Sequence, residues 1–376
     1  MKKSYLMIAA AAALFAACSS NDSFKEIDTQ ESAISFNPFT EKVTKAAITN
    51  EAALATPGFK VFGYKTIETS SLWSNADKIT TVFNGVTVYS ENQGSTWKYN
   101  GLRFWDRNAT YNFYAVAPAE PTGGAEYEII APPTTNYGKI SISNAKSAKY
   151  SDSNDFLIDR NGAKGILGKD HNGTNNDAVD IDFHHIMAKV SFALKSTLTT
   201  GKVTVTKLTM TGWNNAVGAF AQDLTITGNP SSLVYGEWTL GTAVAGDVTL
   251  VGTGSGNANG VELTCNGVSS TATDLNDWYI MIPQQILYTA ADQKGLTFTI
   301  TYTYNDGAAT DPYIETFTDQ VAIVEKTQVW GTDSHTKYTL DIKPAEIKFD
   351  VTQICDFDVD GDLAANNGTT NPVIVD

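Results

Sequence analysis

The sequence is poor in arginine and in positive charge as a whole. Only Arg103, Arg107 and Arg160 occur among its 376 residues, and 26 basic residues stand against 41 acidic ones, which gives a formal net charge of −15. A strongly acidic surface repels phosphate groups, so we expect neither nucleic acid nor anionic lipid headgroups as partners. The balance is typical of an exposed, well-solvated protein outside the cytoplasm.

Histidine is scarce as well, and this limits metal chemistry. Of the four histidines only His184 and His185 are adjacent. Neighbouring residues on a strand point to opposite faces, so the two do not readily grip one ion, and no further zinc ligands stand at suitable spacing. We therefore predict a structural role for this pair.

An acidic run near the C-terminus is a weak calcium candidate. Asp356, Asp358 and Asp360 alternate before Gly361, and hard oxygen ligands followed by a sharp turn are what calcium prefers. The twelfth position of such a loop is Asn367, where a bidentate glutamate is expected. A solvated acidic turn is the favoured interpretation and calcium is the alternative.

Sequence motifs of enzymes are also missing. The chain has no Gly-x-Ser-x-Gly nucleophile elbow and no phosphate-binding glycine motif that opens a helix. Carboxylates are numerous, but nothing singles out the spaced pair that glycoside hydrolysis needs. We predict a protein that is not an enzyme and has no cofactor.

Cysteine occurs three times, at Cys18, Cys265 and Cys355. The last two either form a disulfide in an oxidising compartment or remain separate buried thiols, and nothing local favours the disulfide.

The only long apolar run lies at the start of the chain. Lys2 and Lys3 precede the run Tyr5 to Phe15, and Ala16-Ala17 then precede Cys18. The run is shorter than the roughly 20 residues that span a bilayer, so residues 1–17 are predicted to be a cleaved signal peptide. Small residues before a cysteine are typical of lipoprotein signals. Cys18 is therefore predicted to carry lipid such as palmitate, with residues 18–32 as the tether. An ordinary secretory signal with a chance cysteine is the alternative.

Convincing helical periodicity is scarce, and period-two alternation predicts an all-β fold. From Leu296 to Asn305, apolar residues alternate with threonine, and from Lys337 to Ile342 they alternate with lysine, threonine and aspartate. In Val203–Met210 the apolar phase slips at Lys207, which predicts a β-bulge.

Turn-rich segments divide the strands into two sets. The segment Lys169–Asp177 is rich in glycine, asparagine and aspartate and is the best boundary. We predict a domain over residues 33–176 and a second over 177–376, each an ordinary domain size for a β-sandwich.

Four segments in order resemble one family. They are the stretch from Ile34 through Gly58–Tyr64, the histidine-led strand Phe183–Phe192, the segment Tyr279–Gln284 that closes in Pro-Gln, and Trp330–Ile342. With the lipoprotein signal, they make the chain similar to the Bacteroidota-type fimbrillins, which are type V pilins, and their fimbrillin-like relatives.

The resemblance implies a fold and a function. The fold would be two transthyretin-like β-sandwich domains in tandem. The function would be that of a structural subunit of a pilus or a pilus-like adhesin at the outer membrane. The partners would be other pilin subunits, self or paralogous, with a host or bacterial surface receptor as a further class. The membrane would be contacted through the lipid alone.

The resemblance also implies removal of an N-terminal strand and strand donation between subunits. Stalk pilins of the family are often cleaved after arginine, but no arginine precedes Arg103 here. Lys42 and Lys45 are the basic residues in the right place, so a cut between Lys45 and Ala46 is the candidate, and an uncut loop is the alternative.

The C-terminal tail is the candidate donor strand. An apolar run, Pro372-Val373-Ile374-Val375, follows a polar linker. Such a run can fill a groove in a neighbour by β-augmentation. The alternative is that it pairs with its own C-terminal domain or is disordered.

A cell-surface glycan-binding lipoprotein is the alternative function. It would use Trp97, Tyr99, Phe104 and Trp105 as a sugar-stacking platform, whereas packing in the core is the more common use of aromatic residues in strands.

Overall fold

The computed structural model describes residues 32–40, 51–67, 79–130, 139–152, 155–159, 166–170, 178–223, 236–344, 346–354 and 372–374. Strands dominate these residues. Apart from three short 3₁₀ turns, the helix found in them is α1, Glu51–Ala55. The all-β prediction is confirmed.

The strands of the first half range from two to eleven residues and are mostly antiparallel. They are β1 (Phe36–Thr40), β2 (Phe59–Thr66), β3 (Ile79–Tyr89), β4 (Lys98–Tyr99), β5 (Thr110–Ala117), β6 (Glu126–Ile130), β7 (Lys139–Ala145), β8 (Ala148–Lys149), β9 (Leu157–Asp159), β10 (Ile166–Leu167) and β11 (Val179–His185).

The second half contains the longest strand, β13. Its strands are β12 (Ala188–Lys195), β13 (Lys202–Asn214), β14 (Gly218–Asp223), β15 (Glu237–Leu240), β16 (Ala245–Val251), β17 (Val261–Thr264), β18 (Thr273–Asp274), β19 (Tyr279–Met281), β20 (Gln284–Ile286), β21 (Thr297–Asn305), β22 (Ile314–Ile323), β23 (Gln328–Trp330), β24 (Ser334–Lys343), β25 (Glu346–Ile354) and β26 (Pro372–Ile374).

Four larger sheets and one strand pair contain these strands. The eight-stranded sheet has the order β1-β11-β9-β5-β2-β3-β4, with β10 paired to β5. The seven-stranded sheet has the order β26-β25-β24-β12-β19-β8, with β18 on β12, and the five-stranded sheet has the order β16-β13-β21-β22, with β17 on β13. The four-stranded sheet has the order β15-β14-β7-β6, and β20 pairs with β23.

The second half is a two-layer sandwich of the seven-stranded and five-stranded sheets. Phe192 and Tyr338 from one sheet pack against Phe298 from the other in a core of buried side chains. In β21 the apolar residues face this core and the threonines face outward, as the alternation predicts. The register between β13 and β21 shifts between Val205 and Lys207, which confirms the predicted bulge.

The eight-stranded sheet curls so that its first and last strands meet. Phe36 of β1 lies 5.2 Å from Phe83 of β3 and 5.9 Å from Tyr99 of β4, measured between ring centroids. A second apolar core therefore lies inside the curl.

A third core lies between the two halves. Phe62 and Tyr114 project from the outer face of the curled sheet towards Ile142 of β7 and Phe220 of β14, and Ile280 of β19 completes the cluster. Strands β2 and β5 are consequently buried on both faces. The four-stranded sheet joins the halves, because β7 comes from the first half and β14 from the second.

Sheet pairing crosses the position expected for the domain boundary, between residues 176 and 177. Strand β11 follows that position but lies between β1 and β9 in the eight-stranded sheet. Strand β8 precedes it but pairs with β19 of the seven-stranded sheet. A glycine-rich and asparagine-rich segment marks a break between strands, and it does not determine which sheet the next strand joins.

Cys265 is a free, buried thiol whose Sγ lies 3.6 Å from Ser196 Oγ. Cys355 lies outside the described residues.

The core between the halves gives a first prediction. Phe220 is fully buried and its ring lies 5.3 Å from that of Trp238. Phe220→Ala should lower the free energy of unfolding by about 3–5 kcal/mol, because it removes an aromatic ring and leaves a cavity. Urea unfolding measures this change. Tyr313→Ala, at an aromatic residue 54% exposed, is the control and should cost about 0.5 kcal/mol or less. Equal losses in the two variants would contradict the assignment of this core.

Candidate functional site

The N-terminal segment, residues 32–40, lies in a groove of the curled sheet. Its side chains alternate, with Ile34 and Phe36 buried at 1% and 5% exposure, Pro38 buried, and Asn37 exposed. The alternation arises because successive side chains of a strand point to opposite faces. One face of the segment therefore belongs to the core and the other to solvent.

One side of this segment is paired with β11. The pairing is parallel, with Phe36 opposite Val179 and Thr40 opposite Phe183. Just before β1, the carbonyl of Ser35 accepts a hydrogen bond of 2.8 Å from the amide of Val179. A side-chain hydrogen bond also joins Asn37 of β1 to Asp180 of β11, although these residues are 143 positions apart in the sequence.

The other side of the segment meets residues 99–105, which we call the latch. The amide of Ile34 donates to the carbonyl of Arg103 at 2.8 Å, and the amide of Trp105 donates to the carbonyl of Ser32 at 3.1 Å. Between these two bonds, Ala33 and Phe104 form an antiparallel bridge. The N-terminal segment thus closes the curled sheet, since it is bonded to the latch on one side and to β11 on the other.

Phe36 is the main apolar anchor of the segment. Its ring makes edge contacts with Phe83, Tyr99 and Phe113 at centroid distances of 5.2, 5.9 and 5.7 Å. Gly63 makes room for these rings, because a Cβ there would lie 2.8 Å from Phe83 and 2.9 Å from Phe113. Gly63, the second glycine of the motif Gly58–Tyr64, therefore shapes the pocket of Phe36.

Tyr99 contributes a direct hydrogen bond. Its hydroxyl donates to the carbonyl of Ile34 at 2.7 Å. Burial raises the pKa of Tyr99 above its usual value of 10.0, although the neighbouring Arg103 opposes the shift. The hydroxyl thus keeps its proton, and its role as a donor, throughout the physiological pH range.

Arg103 braces the latch. Its Nε donates to the carbonyl of Val82 at 2.6 Å, and its Nη1 donates to the carbonyls of Asn100 and Gly101. The guanidinium also lies over the ring of Phe83, 4.8 Å from the centroid. Sequence reasoning missed this residue. The scarcity of arginine, with Arg103 inside an aromatic stretch, is the signal that could have found it.

Most residues singled out from the sequence lie outside the described residues. These are Cys18, Lys45, Ala46, Val375 and the aspartates Asp356, Asp358 and Asp360. Of the tail, Pro372–Ile374 is described and forms β26. It pairs antiparallel with β25 of the same chain, with Val373 opposite Val351.

His184 and His185 contact separate carboxylates. His185 Nδ1 lies 2.7 Å from Asp155 Oδ1, and both side chains are buried. His184 Nε2 lies 3.0 Å from Asp182 Oδ1, a close polar contact without good hydrogen-bond geometry. Each imidazole thus has its own acidic neighbour. Within the described residues, no group of three His, Cys, Asp or Glu side chains could hold a metal ion.

The aromatic set proposed as a sugar platform is largely built into the core. Trp105 is buried, Tyr99 packs on Phe36, and the ring of Trp97 lies 5.3 Å from that of Phe59. Phe104 alone of the four is exposed, at 44%. The four rings therefore do not line up as one open surface.

No helix among the described residues is long and apolar enough to span a membrane.

A family model described as fimbrillin-like matches residues 44–356. The chain belongs to the fimbrillin-like family. Among solved structures, a fimbrial protein from Bacteroides vulgatus is similar over 86% of this chain and 99% of its own, with 19% identity and a TM-score of 0.53. This likeness supports the fold. No curated protein matches the chain significantly.

A second solved structure is more distant. The tip fimbrial protein Mfa3 from Porphyromonas gingivalis, solved with a C-terminal truncation, matches 80% of this fimbrillin-like chain and 94% of its own. The identity is 10% and the TM-score 0.31.

The groove of this fimbrillin-like chain gives a second prediction. Phe36→Ala should lower the free energy of unfolding by about 3 kcal/mol, because three aromatic contacts are lost. Asn37→Ala, at the next residue but on the exposed face, should cost about 0.5 kcal/mol or less. Urea unfolding of the two variants is the comparison, and similar midpoints would show that Phe36 does not anchor the segment.

Proposed function

We propose that this chain is a structural subunit of a cell-surface fimbrium. It is exported as a lipoprotein, is held at the outer membrane through Cys18, and assembles by strand donation after its N-terminal strand is removed. Membership of the fimbrillin-like family supports the fimbrial role. The similar structure described as a fimbrial protein agrees with it in fold.

One observation carries the proposal: the strand that closes the curled sheet is also the first described strand of the chain. Lys42 and Lys45 follow β1 in sequence, ahead of α1. A cut after Lys45 would free Ile34 and Phe36 from the chain while leaving the other described strands covalently intact.

Loss of the N-terminal segment would leave a groove with strong affinity for another strand. The aromatic pocket of Phe36 would be empty, and backbone groups of Val179, Arg103 and Trp105 would lose their partners. Unpaired backbone at a sheet edge is a template for strand addition, in which main-chain bonds supply affinity and pockets supply register.

The C-terminal tail of a neighbour is the proposed donor. In its own chain the tail forms the edge of the seven-stranded sheet and is held to β25 through three residue pairs, so little pairing has to be given up before it leaves. Donation from one subunit to the next is head-to-tail and does not close on itself, so it produces a filament.

Lipid attachment is tested at Cys18. Cys18→Ser should abolish metabolic labelling with a fatty acid and release the protein from the membrane fraction, because the thiol is the attachment point. Cys355→Ser removes a different cysteine and should leave labelling and membrane retention unchanged. Retention and labelling of the Cys18→Ser protein would refute lipidation at this residue.

Processing and donation are tested together in the producing cell. We expect surface polymer to begin at Ala46. Lys45→Gln, or deletion of residues 362–376, should leave the protein folded but monomeric, since one blocks opening of the groove and the other removes the donor. N-terminal sequencing and the ladder of oligomers on a gel without boiling are the measurements. Lys169→Gln, at an exposed lysine elsewhere in the chain, should polymerise normally. Polymer that still begins at Cys18, or that forms without residues 362–376, would contradict the proposal.

A further inference from the structure

We propose that the latch fixes the register of the donated strand, so that Val373 takes the position of Ile34 and Val375 that of Phe36. This inference rests on the proposed function and adds to it a specific alignment of the donor tail in the groove of the next subunit.

The latch is held by contacts that do not involve the N-terminal segment. The side chain of Arg103 binds the carbonyl of Val82 in β3 and two carbonyls of its own loop, and it packs over Phe83. None of these groups leaves with β1. The carbonyl of Arg103 and the amide of Trp105 therefore stay in place to receive an incoming strand.

The two edges of the groove dictate the direction of that strand. The latch is antiparallel to residues 32–34, whereas β11 is parallel to residues 36–40. A strand that satisfies both edges has to run in the same direction as the segment it replaces.

The latch asks for hydrogen-bonding groups at alternate residues. The latch is hydrogen-bonded to the amide of Ile34 and to the carbonyls of Ser32 and Ile34. Ala33, which lies between Ser32 and Ile34, faces Phe104 in a non-hydrogen-bonded pair, so its own amide and carbonyl make no bond to the latch. A proline is therefore compatible with the position of Ala33, but not with that of Ile34, where the amide must donate to the carbonyl of Arg103.

Only one alignment of the tail meets these demands and also fills both apolar positions. With Val373 at Ile34 and Val375 at Phe36, Pro372 falls at the tolerant position of Ala33. A shift of one residue towards the linker places Pro372 at the position of Ile34 and loses the amide donor. A shift of one residue the other way places the charged Asp376 at the buried position of Phe36. Larger shifts towards the linker bury Asn371 or Thr370 at the position of Ile34, which is 1% exposed.

Ile374 has the opposite role in this alignment. It falls at the position of Ser35, which points away from the core and is partly exposed. Its carbonyl would accept the hydrogen bond that the amide of Val179 now gives to Ser35. We therefore expect polymer formation to depend less on the side chain of Ile374 than on that of Val373, although isoleucine is the larger residue.

The experiment compares the same substitution at neighbouring residues in the full-length chain. Val373→Ser should reduce surface polymer about tenfold or more, because a hydroxyl replaces apolar groups in a buried position. Ile374→Ser should stay within twofold of the unmodified chain. Polymer is quantified from the oligomer ladder, and the level of folded monomer is measured alongside it.

A second measurement tests the latch in the uncut chain, independently of polymerisation. Tyr99→Phe and Arg103→Ala should each speed hydrogen exchange of the Ile34 amide by about tenfold, while core amides such as Phe192 are unaffected. Arg107→Ala is the control, since Arg107 is exposed and close in sequence. Two variants are used so that misfolding of one does not decide the test.

The outcomes separate this inference from the proposed function. If polymer requires residues 362–376 but Ile374→Ser is as damaging as Val373→Ser, or more so, strand donation stands and the register is wrong. If neither substitution reduces polymer, the register is likewise wrong. If neither Tyr99→Phe nor Arg103→Ala changes exchange at Ile34 by more than twofold, the latch does not hold the strand. Polymer that forms without the tail overturns the proposed function itself.

Discussion

The two-sided pairing of the N-terminal segment is the constraint on which the first half of the molecule depends. A curled sheet that stops short of closure leaves two rows of backbone groups without partners, and these are costly when buried and prone to pairing when exposed. Here residues 32–35 satisfy both rows, with Arg103 and Trp105 on one side and Val179 on the other. Phe36 then fills the interior next to them. Closure of the backbone and filling of the core are achieved by one short stretch of chain.

The core between the halves explains why the curled sheet does not stand as a separate unit. Strands β2 and β5 bury side chains on both faces, inward around Phe113 and outward around Tyr114. The outward face is covered by the four-stranded sheet, which takes β7 from one half and β14 from the other. The apolar surface of the curled sheet is therefore shared with the rest of the chain, and the groove is supported from behind by a packed layer.

Much of the strand content could be predicted from the sequence, because period-two alternation is a local property. Leu296 to Asn305 and the slip at Lys207 show this, since each pattern depends only on neighbouring residues. Which strands pair is a different matter. The parallel pairing of Phe36 with Val179 joins residues far apart in sequence, and the local pattern around one residue does not indicate the other as its partner. The family resemblance implied a removable N-terminal strand, but the sequence did not predict that residues 99–105 would bind this strand. The key contacts of this latch use the carbonyl of Arg103 and the amide of Trp105, and every residue type offers such groups.

The fit of Phe36 also bears on why a cut would be needed before assembly. The ring of Phe36 touches three aromatic neighbours, and a valine in the same pocket would make fewer contacts and leave part of it unfilled. The N-terminal strand has a second advantage while it remains part of the chain, because its effective concentration at the groove is high. A donor that offers Val375 at the position of Phe36 would therefore lose the competition against an uncut strand on both counts. After cleavage the first strand would no longer be covalently tied to the groove, so it would lose this advantage, and the donor strand of a neighbour could replace it once it dissociates. On the proposed pathway, the better-fitting strand thus protects the precursor from early polymerisation, and cutting the chain changes the outcome without altering the groove.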